Sequence, residues 1–361
     1  MPIRGRLLAA FLLVCSVSAG PAWQHAVGPR AWSFPRDHGR HDGFKIEWWY
    51  FTGNCVDADG HRFGYELTFF RSALDPRQPT SRPSPWAASD LYFAHAAVTD
   101  VAHGGFVCRD RLERARPGVA WASDRSLDVS LLNWSCKQGE GGTIHLLATD
   151  PALSIELALT GGRGPFLEGP GGVNVKGSGQ GHASYYATMT RLRTVGTLGI
   201  NGRSYRMVDG QTWMDHEFST DSLRPDQVGW DWFGLQLDDG TDLMIYRMRN
   251  RTGGTDYLSG TRVTPDGVPH YLSDRDITLA GDDPWTSPAS DAAYPQRWRL
   301  TIDGRKVVVR SRLATQELDT SASAGVTYWE GAVGVDDAGG TAIGQGYLEM
   351  TGYAAPVAGA K

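Results

Sequence analysis

What this 361-residue sequence most lacks is helical periodicity. No segment keeps an apolar residue at every third or fourth position for three turns, so long helices and helical bundles are excluded. It has no Lys/Arg block, and its 35 basic against 40 acidic residues leave a net charge of −5. The basic surface that nucleic acid requires is therefore missing. No Gly-x-Ser-x-Gly elbow, His-Glu-x-x-His, P-loop or dinucleotide fingerprint occurs. The usual signatures of serine hydrolases, zinc proteases and nucleotide-dependent enzymes are thus absent, and no cofactor is implied. Cysteine is scarce, with four residues, and no Cys-x-x-Cys or close His/Cys set marks a metal site. No apolar run is long enough to span a bilayer.

The start of the chain carries an export pattern over residues 1–22. "MPIRGR" is a basic n-region, Leu7 to Ala19 an apolar h-region, and Val17-Ser18-Ala19 a small-residue cleavage site. The expectation is a periplasmic or secreted protein, with lipid attachment at Cys15 a minor alternative and peripheral contact with the envelope allowed. Cleavage leaves Cys55, Cys108 and Cys136. Exported chains usually pair their cysteines, and Cys108 and Cys136, each beside turn-like residues, are the expected pair. Three separate buried thiols are the alternative.

What the sequence has in plenty is punctuation and aromatic residues: 45 Gly, 19 Pro and 13 Trp. Period-two segments recur between the breakers. "KIEWWYFTGNCV" and "HRFGYELTFFR" flank the turn Asp57 to Gly60; "GWDWFGLQL" and "DLMIYRMRN" flank Asp238 to Thr241; Asn201-Gly202 marks a third hairpin. A Pro/Ser-rich stretch, "DPRQPTSRPSPWAASD", interrupts the early strands and is expected to cross the mouth of whatever they form. At most a short helical turn is allowed at "PDQVGWDW" and "TQELDTSA". Many short strands at regular spacing predict an all-β barrel or sandwich architecture, and two such units fit the length.

Seven blocks, "KIEWWYFTGN", "YFAHAAVTD", "ASYYATMTR", "TWMDHEFS", "GWDWFGLQLDDGTDLMIYRMR", "YWEGAVGV" and "GQGYLEMTGY", carry a resemblance. In this order they resemble the carotenoid 1,2-hydratase/AttH-like family, whose members are often called predicted secreted hydrolases and are related to lipocalin-like pericyclases. The resemblance runs from about Gly43 to Tyr353. It implies two lipocalin-like (calycin-type) antiparallel β-barrel domains packed together, an N-terminal one over 43–218 and a C-terminal one over 228–355. One departure is Phe218, where the family usually has Trp after Asp-His-Glu, so an indole hydrogen bond made there in relatives is lost.

The chemistry is expected at that motif. Side chains alternate along a strand, so Asp215 and Glu217 share one face with Trp213, while His216 points away unless a bulge intervenes. Two carboxyls ~6–7 Å apart on one face of an apolar cavity resist double ionisation, and one should keep its proton at neutral pH. The alternative is that both tie backbone amides or arginines at a domain seam. Asp231, between Trp230 and Trp232, either enters the cavity or meets solvent. His95, a lone histidine among small apolar residues, is a satisfied core residue or a base facing the Asp215 strand. Glu47, Glu330 and Glu349 sit among apolar neighbours and read as ion pairs with Arg191, Arg247 or Arg249.

A hydratase acting on an isoprenoid double bond needs a positioned acid, a water and aromatic faces to shelter a cation. Asp215, Glu217 or Asp231 are the candidate acids, with His216 and His95 as further proton-transfer groups. Trp48, Trp49, Trp213, Trp230, Trp232, Tyr246 and Trp329 are candidate walls. The expectation is an exported protein holding an elongated apolar molecule, isoprenoid, carotenoid or lipid, near the domain interface. Acid-assisted water addition of the kind the resemblance implies is the favoured reaction. A non-catalytic carrier, and pericyclase-like cyclisation, are the rivals.

Overall fold

The computed structural model describes residues 22–76, 87–179, 181–220 and 223–357. The apolar leader with Cys15, and most of the Pro/Ser-rich loop, lie outside the described residues. Among the described residues there is no α-helix, only the 3₁₀ turns Arg36–His38, Glu140–Gly142 and Pro170–Gly172. Among the described residues no helix is long and apolar enough to cross a membrane. The two stretches allowed as helical turns are strand instead, from Gln227 and from Glu317.

The first sheet is built from β1 (Ile46–Asp57), β2 (Arg62–Ala73), β3 (Asp90–Asp100), β4 (Gly105–Arg114), β5 (Ala120–Ala122) and β6 (Asp128–Leu131). It continues through β7 (Trp134–Gln138), β8 (Ile144–Thr149), β9 (Leu153–Thr160), β10 (Arg163–Leu167), β11 (Val173–Val175), β12 (Ala183–Ile200) and β13 (Arg203–Ser219). The second comprises β14 (Gln227–Leu237), β15 (Asp242–Asn250), β16 (Thr255–Val263), β17 (Pro269–Leu272) and β18 (Ile277–Thr286). Then follow β19 (Ala293–Ile302), β20 (Arg305–Ser311), β21 (Glu317–Thr320), β22 (Val326–Asp337) and β23 (Ala342–Met350). All pairings are antiparallel.

The order β4-β3-β2-β1-β13-β12-β9-β8-β7-β6-β5 brings the edges of the first sheet together at the bridge Arg116–Ala120, so it forms a nearly closed barrel. Its core holds Trp49, Phe51, Phe63, Trp134, Ile155 and Leu198. The second sheet, β17-β16-β15-β14-β23-β22-β20-β19-β18, wraps around Phe233, Ile245, Trp298, Trp329 and Leu348. The turns follow local chemistry. Asn201 and Gly202 both have positive φ (51° and 75°), the type I′ geometry that joins β12 to β13. Arg191, also at positive φ, marks a bulge in β12 where the register against β13 shifts.

The three cysteines are free. The expected Cys108–Cys136 pair does not form because the two lie on opposite sides of the barrel wall. Cys136 is in the first core, while Cys108 faces outward against the cluster of Leu318 and Tyr328.

The two units meet along their outer faces. Tyr50, Tyr186 and Trp213 of the first pack against Trp232, Met244, Tyr246, Met248 and Tyr347 of the second. Asp242 pins the seam: its Oδ1 lies 2.8 Å from Arg191 Nε, it accepts from Thr190 Oγ1 at 2.6 Å, and it also pairs with Arg163. Arg191 is thereby committed to Asp242 rather than to Glu47, Glu330 or Glu349.

Candidate active site

Strand alternation makes the β1/β13 ribbon two-faced. No bulge interrupts the pairing from Ile46 opposite Ser219 to Val56 opposite Asp209. Tyr50 is therefore opposite Asp215 and Trp48 opposite Glu217 on the outer face, while Trp49 is opposite His216 and Glu47 opposite Phe218 on the barrel face. The divergence of His216 from the two acids, expected from period two, is what the structure has.

Between the units lies a cavity of about 310 Å³. Its floor is two cross-strand rows. One runs His95, Thr68, Tyr50, Asp215 across β3, β2, β1 and β13, with Thr188 of β12 beside Asp215 behind the lining. The next runs Phe93, Phe70, Trp48, Glu217, Tyr186. The opposite wall is a row from the second sheet, Tyr246, Trp232, Glu349, Glu330, flanked by Trp230 and Met248.

Asp215 is fully enclosed. Its Oδ1 accepts from Thr188 Oγ1 at 2.7 Å and Trp213 Nε1 at 2.8 Å, and its Oδ2 from the Tyr186 hydroxyl at 2.5 Å. Burial pushes its pKa up to about 7, against the pull of those three donors and with Glu217 adding a little. Tyr186 in turn accepts from Trp232 Nε1 at 3.2 Å. Glu217 meets Lys176, whose Nζ is 3.0 Å from Oε1 and lies over the rings of Tyr246 (4.6 Å) and Tyr186 (5.3 Å). An ammonium in that setting is stabilised by two π faces as well as by the carboxylate.

The far wall differs. Glu330 and Glu349 are direct cross-strand neighbours, and no ion pair among the described residues reaches either. Burial raises Glu330 well above the carboxylate range, and nearby Glu66 and Glu349 raise it further. Burial lifts Glu349 to about 7, with Trp230 Nε1 donating to it at 3.1 Å. Glu66, beneath them on β2, is pushed to about 8, chiefly by burial, and Glu168 also to about 8. Adjacent buried carboxyls without cations keep protons, because two unscreened negative charges in an apolar setting are too costly.

Several expectations are corrected. Glu330 and Glu349 have no arginine: Arg247 and Arg249 are taken by Asp231, whose Oδ2 is 2.7 Å from Arg247 Nε and 3.5 Å from Arg249 Nε. Asp231 also accepts from Tyr353 at 2.8 Å, so it neither enters the cavity nor meets solvent. It faces the second unit's interior because Trp230 and Trp232, its neighbours in the strand, line the cavity. Trp49 and Trp329 belong to the two cores, donating to the carbonyls of His38 and Ala314. Trp213 backs the cavity, holding Asp215 and packing edge-on to Trp232. Glu47 is paired, with Arg71, His41 and His216 rather than Arg191, Arg247 or Arg249. His95 lines the cavity and bonds Tyr328 (2.8 Å) and Ser323 (3.2 Å); burial drops it to about 3, so it is neutral.

Lys176, Glu66, Tyr186 and Thr188 were not legible as site residues. Glu66 stands in "YELTFF" with the same apolar bracket as Glu330 in "YWEGA", a signal that could have found it. Lys176 lies in the Gly-rich stretch, where no periodicity tells which way a side chain points.

A family model described as AttH-like matches residues 25–353. A protein of Nitrosomonas europaea assigned as AttH has a crystal structure 30% identical to this chain, covering 91% of it and 99% of that protein, with a TM-score of 0.84. Kievitone hydratase from Nectria haematococca is similar in fold at 13% identity, covering 93% of this chain and 98% of that one, with a TM-score of 0.67. CghA, at 10% identity and a TM-score of 0.51, covers 92% of this chain and 96% of that one. None of the curated proteins compared matches the chain. With nearly the whole folded chain inside the family match, and two packed lipocalin-like β units carrying it, this protein belongs to the AttH-like family.

Proposed function

We propose that the cavity binds an apolar molecule with a carbon–carbon double bond and adds water across it by general-acid catalysis. The observation that carries the reading is the Glu330–Glu349 pair. Two carboxyls side by side in an apolar wall, reached by no ion pair among the described residues, resist double ionisation, so Glu330, raised well above the carboxylate range, holds a proton at neutral pH.

The balance is simple. Glu330 gives its proton to one alkene carbon, and the positive charge appears on the more substituted neighbour. The faces of Trp48, Trp230 and Phe70 shelter that charge. Water attacks it, and Asp215, whose pKa of about 7 leaves part of it ionised at neutral pH, takes the proton that water loses. One water is consumed, and proton return from Asp215 to Glu330 through solvent closes the cycle. Positioned acid–base groups of this kind typically contribute ~10²–10⁴-fold in rate.

At about 310 Å³, the cavity lies at the small end of the ~300–1,000 Å³ typical of ligand sites. This favours a prenylated or short isoprenoid ligand, or one end of a longer chain, over a whole carotenoid enclosed at once. Export to the periplasm or beyond, which the leader suggests, would set the substrate apart from membrane-bound carotenoid synthesis.

The test is incubation with short prenylated compounds, acyclic polyenes, lipids and esters in isotopically heavy water. An alcohol product heavier than its alkene substrate by one water, lost in Glu330→Gln with binding retained, supports the reading. Tight binding with no turnover of any alkene makes the protein a carrier and ends it.

A further inference from the structure

The barrel face of the ribbon holds a second built cluster that the reaction above does not use. We propose that His41, Glu47 and His216 bind one divalent transition-metal ion of the zinc type. Nδ1 of His41 and Nε2 of His216 each lie 2.9 Å from Glu47 Oε1, and the three atoms are within 4.8 Å of one another. Two donors bonded to one tetrahedral zinc at about 2.0–2.1 Å are about 3.3–3.4 Å apart, so the rings and the carboxylate need to part by only about 0.4–0.5 Å to seat the ion.

The hydrogen-bond inventory requires something between these atoms. His216 Nδ1 is 3.0 Å from the carbonyl oxygen of Asp37, which can only accept, so the ring proton belongs there. Nε2 is then a bare lone pair pointed at a carboxylate oxygen. Either a second proton or a cation must sit in that contact, and with His41 aimed at the same oxygen a single ion would answer both rings at once. His41 is placed alike: its Nε2 faces Asp37 Oδ1 at 3.2 Å, with Arg36 donating to that oxygen and lying 3.1 Å from the same nitrogen, and its Nδ1 points toward Glu47. Asp37 thus orients both rings through their outer nitrogens, as carboxylates and carbonyls behind metal-bound histidines do. Arg71 donates to the other oxygen, Oε2, at 3.2 Å, and the His41 backbone N–H spans both oxygens at 3.1 and 3.0 Å, so Oε1 is the oxygen that both rings and the ion would share.

Two imidazoles and one carboxylate suit zinc and its neighbours rather than calcium or magnesium, which take oxygen. The ligands are dry and stacked, His41 on Phe218 at 3.6 Å and His216 on Trp49 at 5.0 Å. An ion there would clamp the segment around Asp37 and His41 onto β1 and β13, directly behind the strand that carries Asp215. A second grouping, Asp57, Asp59 and His61, sits in an exposed turn where Asp57 already accepts the backbone N–H groups of Asp59 and His61. It serves as the control.

The purified protein is stripped with chelator, given an equimolar amount of Zn²⁺, gel-filtered and assayed for metal. Co²⁺ replaces zinc in a parallel sample for absorption and paramagnetic NMR. The expected result is about one zinc per chain, a chelator-induced fall in Tm of roughly 5 °C, and two shifted imidazole signals with Co²⁺. Affinity should fall at least ~10-fold in His216→Gln and Glu47→Gln, and stay unchanged in His61→Ala. No retained zinc with an unmoved Tm overturns the proposal, as does full retention in a folded His216→Gln. Should that variant not fold, wild-type protein with Co²⁺ but no shifted imidazole signals overturns it equally.

Discussion

The two faces of one ribbon, β1 paired with β13, carry acids of opposite kind. On the barrel face Glu47 is surrounded: two histidines, Arg71 and the His41 backbone N–H all reach it, and despite full burial its pKa is driven below the usual carboxylate range. On the outer face the carboxyls of Asp215 and, across the cavity, Glu330 and Glu349 are raised. Burial is common to both and pushes in the same direction in both. What differs is the supply of charge: Glu47 has Arg71 beside its N–H donors, whereas Asp215 has three neutral donors, and no ion pair among the described residues reaches it, Glu330 or Glu349. A buried acid with a cationic partner becomes architecture, while one without is pushed toward its protonated form.

The largest effect should come from removing the loaded proton. Glu330→Gln keeps shape and neutrality, so Tm should hold within a few degrees while hydration falls ~10²–10⁴-fold. An equal loss of Tm would show the outer face to be architecture too. Next, Glu47→Ala removes the acid that two histidines and Arg71 share, leaving Arg71 to Asp90 alone among buried acids, and should cost about 3 kcal/mol in chemical denaturation. Asp231→Ala should behave similarly, by freeing Arg247 and Arg249.

The pH dependence separates the faces by sign. Glu66 and Glu330 keep protons in the folded state that the unfolded chain loses, so their contribution falls as pH rises above about 4.5, for Glu66 up to about 8. Glu47 and Asp37 are depressed, so theirs is present above about 4.5 and is lost as pH falls below it. Melting curves against pH should show Glu66→Gln flattening the alkaline slope and Glu47→Gln the acid one. The smallest effect is sharper in kind: Trp213→Phe removes one donor from Asp215 and should cost about 1 kcal/mol. It should also move the basic group of the activity profile upward from about 7.

How much of this the sequence could reveal depends on range. Alternation alone separates His216 from Asp215 and Glu217, and the Asn201-Gly202 and Asp59-Gly60 turns place the hairpins. These are interactions of near neighbours. Partners across sheets are not encoded so locally. Glu330, Glu349 and Asp231 look alike on paper, each an acid among aromatic residues, yet only Asp231 receives the arginines. Period two tells which residues share a face, not which face meets the other unit. Trp49 and Trp329 fall on the core side for the same reason that Trp48 and Trp230 line the cavity. The histidine–glutamate cluster joins positions 169 residues apart, beyond any spacing motif.

The most direct measurement is infrared difference spectroscopy at pH 7, wild type minus Glu330→Gln, in light and heavy water. A protonated carboxyl C=O band present in the wild type, sensitive to deuterium and missing in the variant, is the predicted result. A difference containing only ionised carboxylate bands would contradict it, because the wall facing the ligand would then have no proton to give.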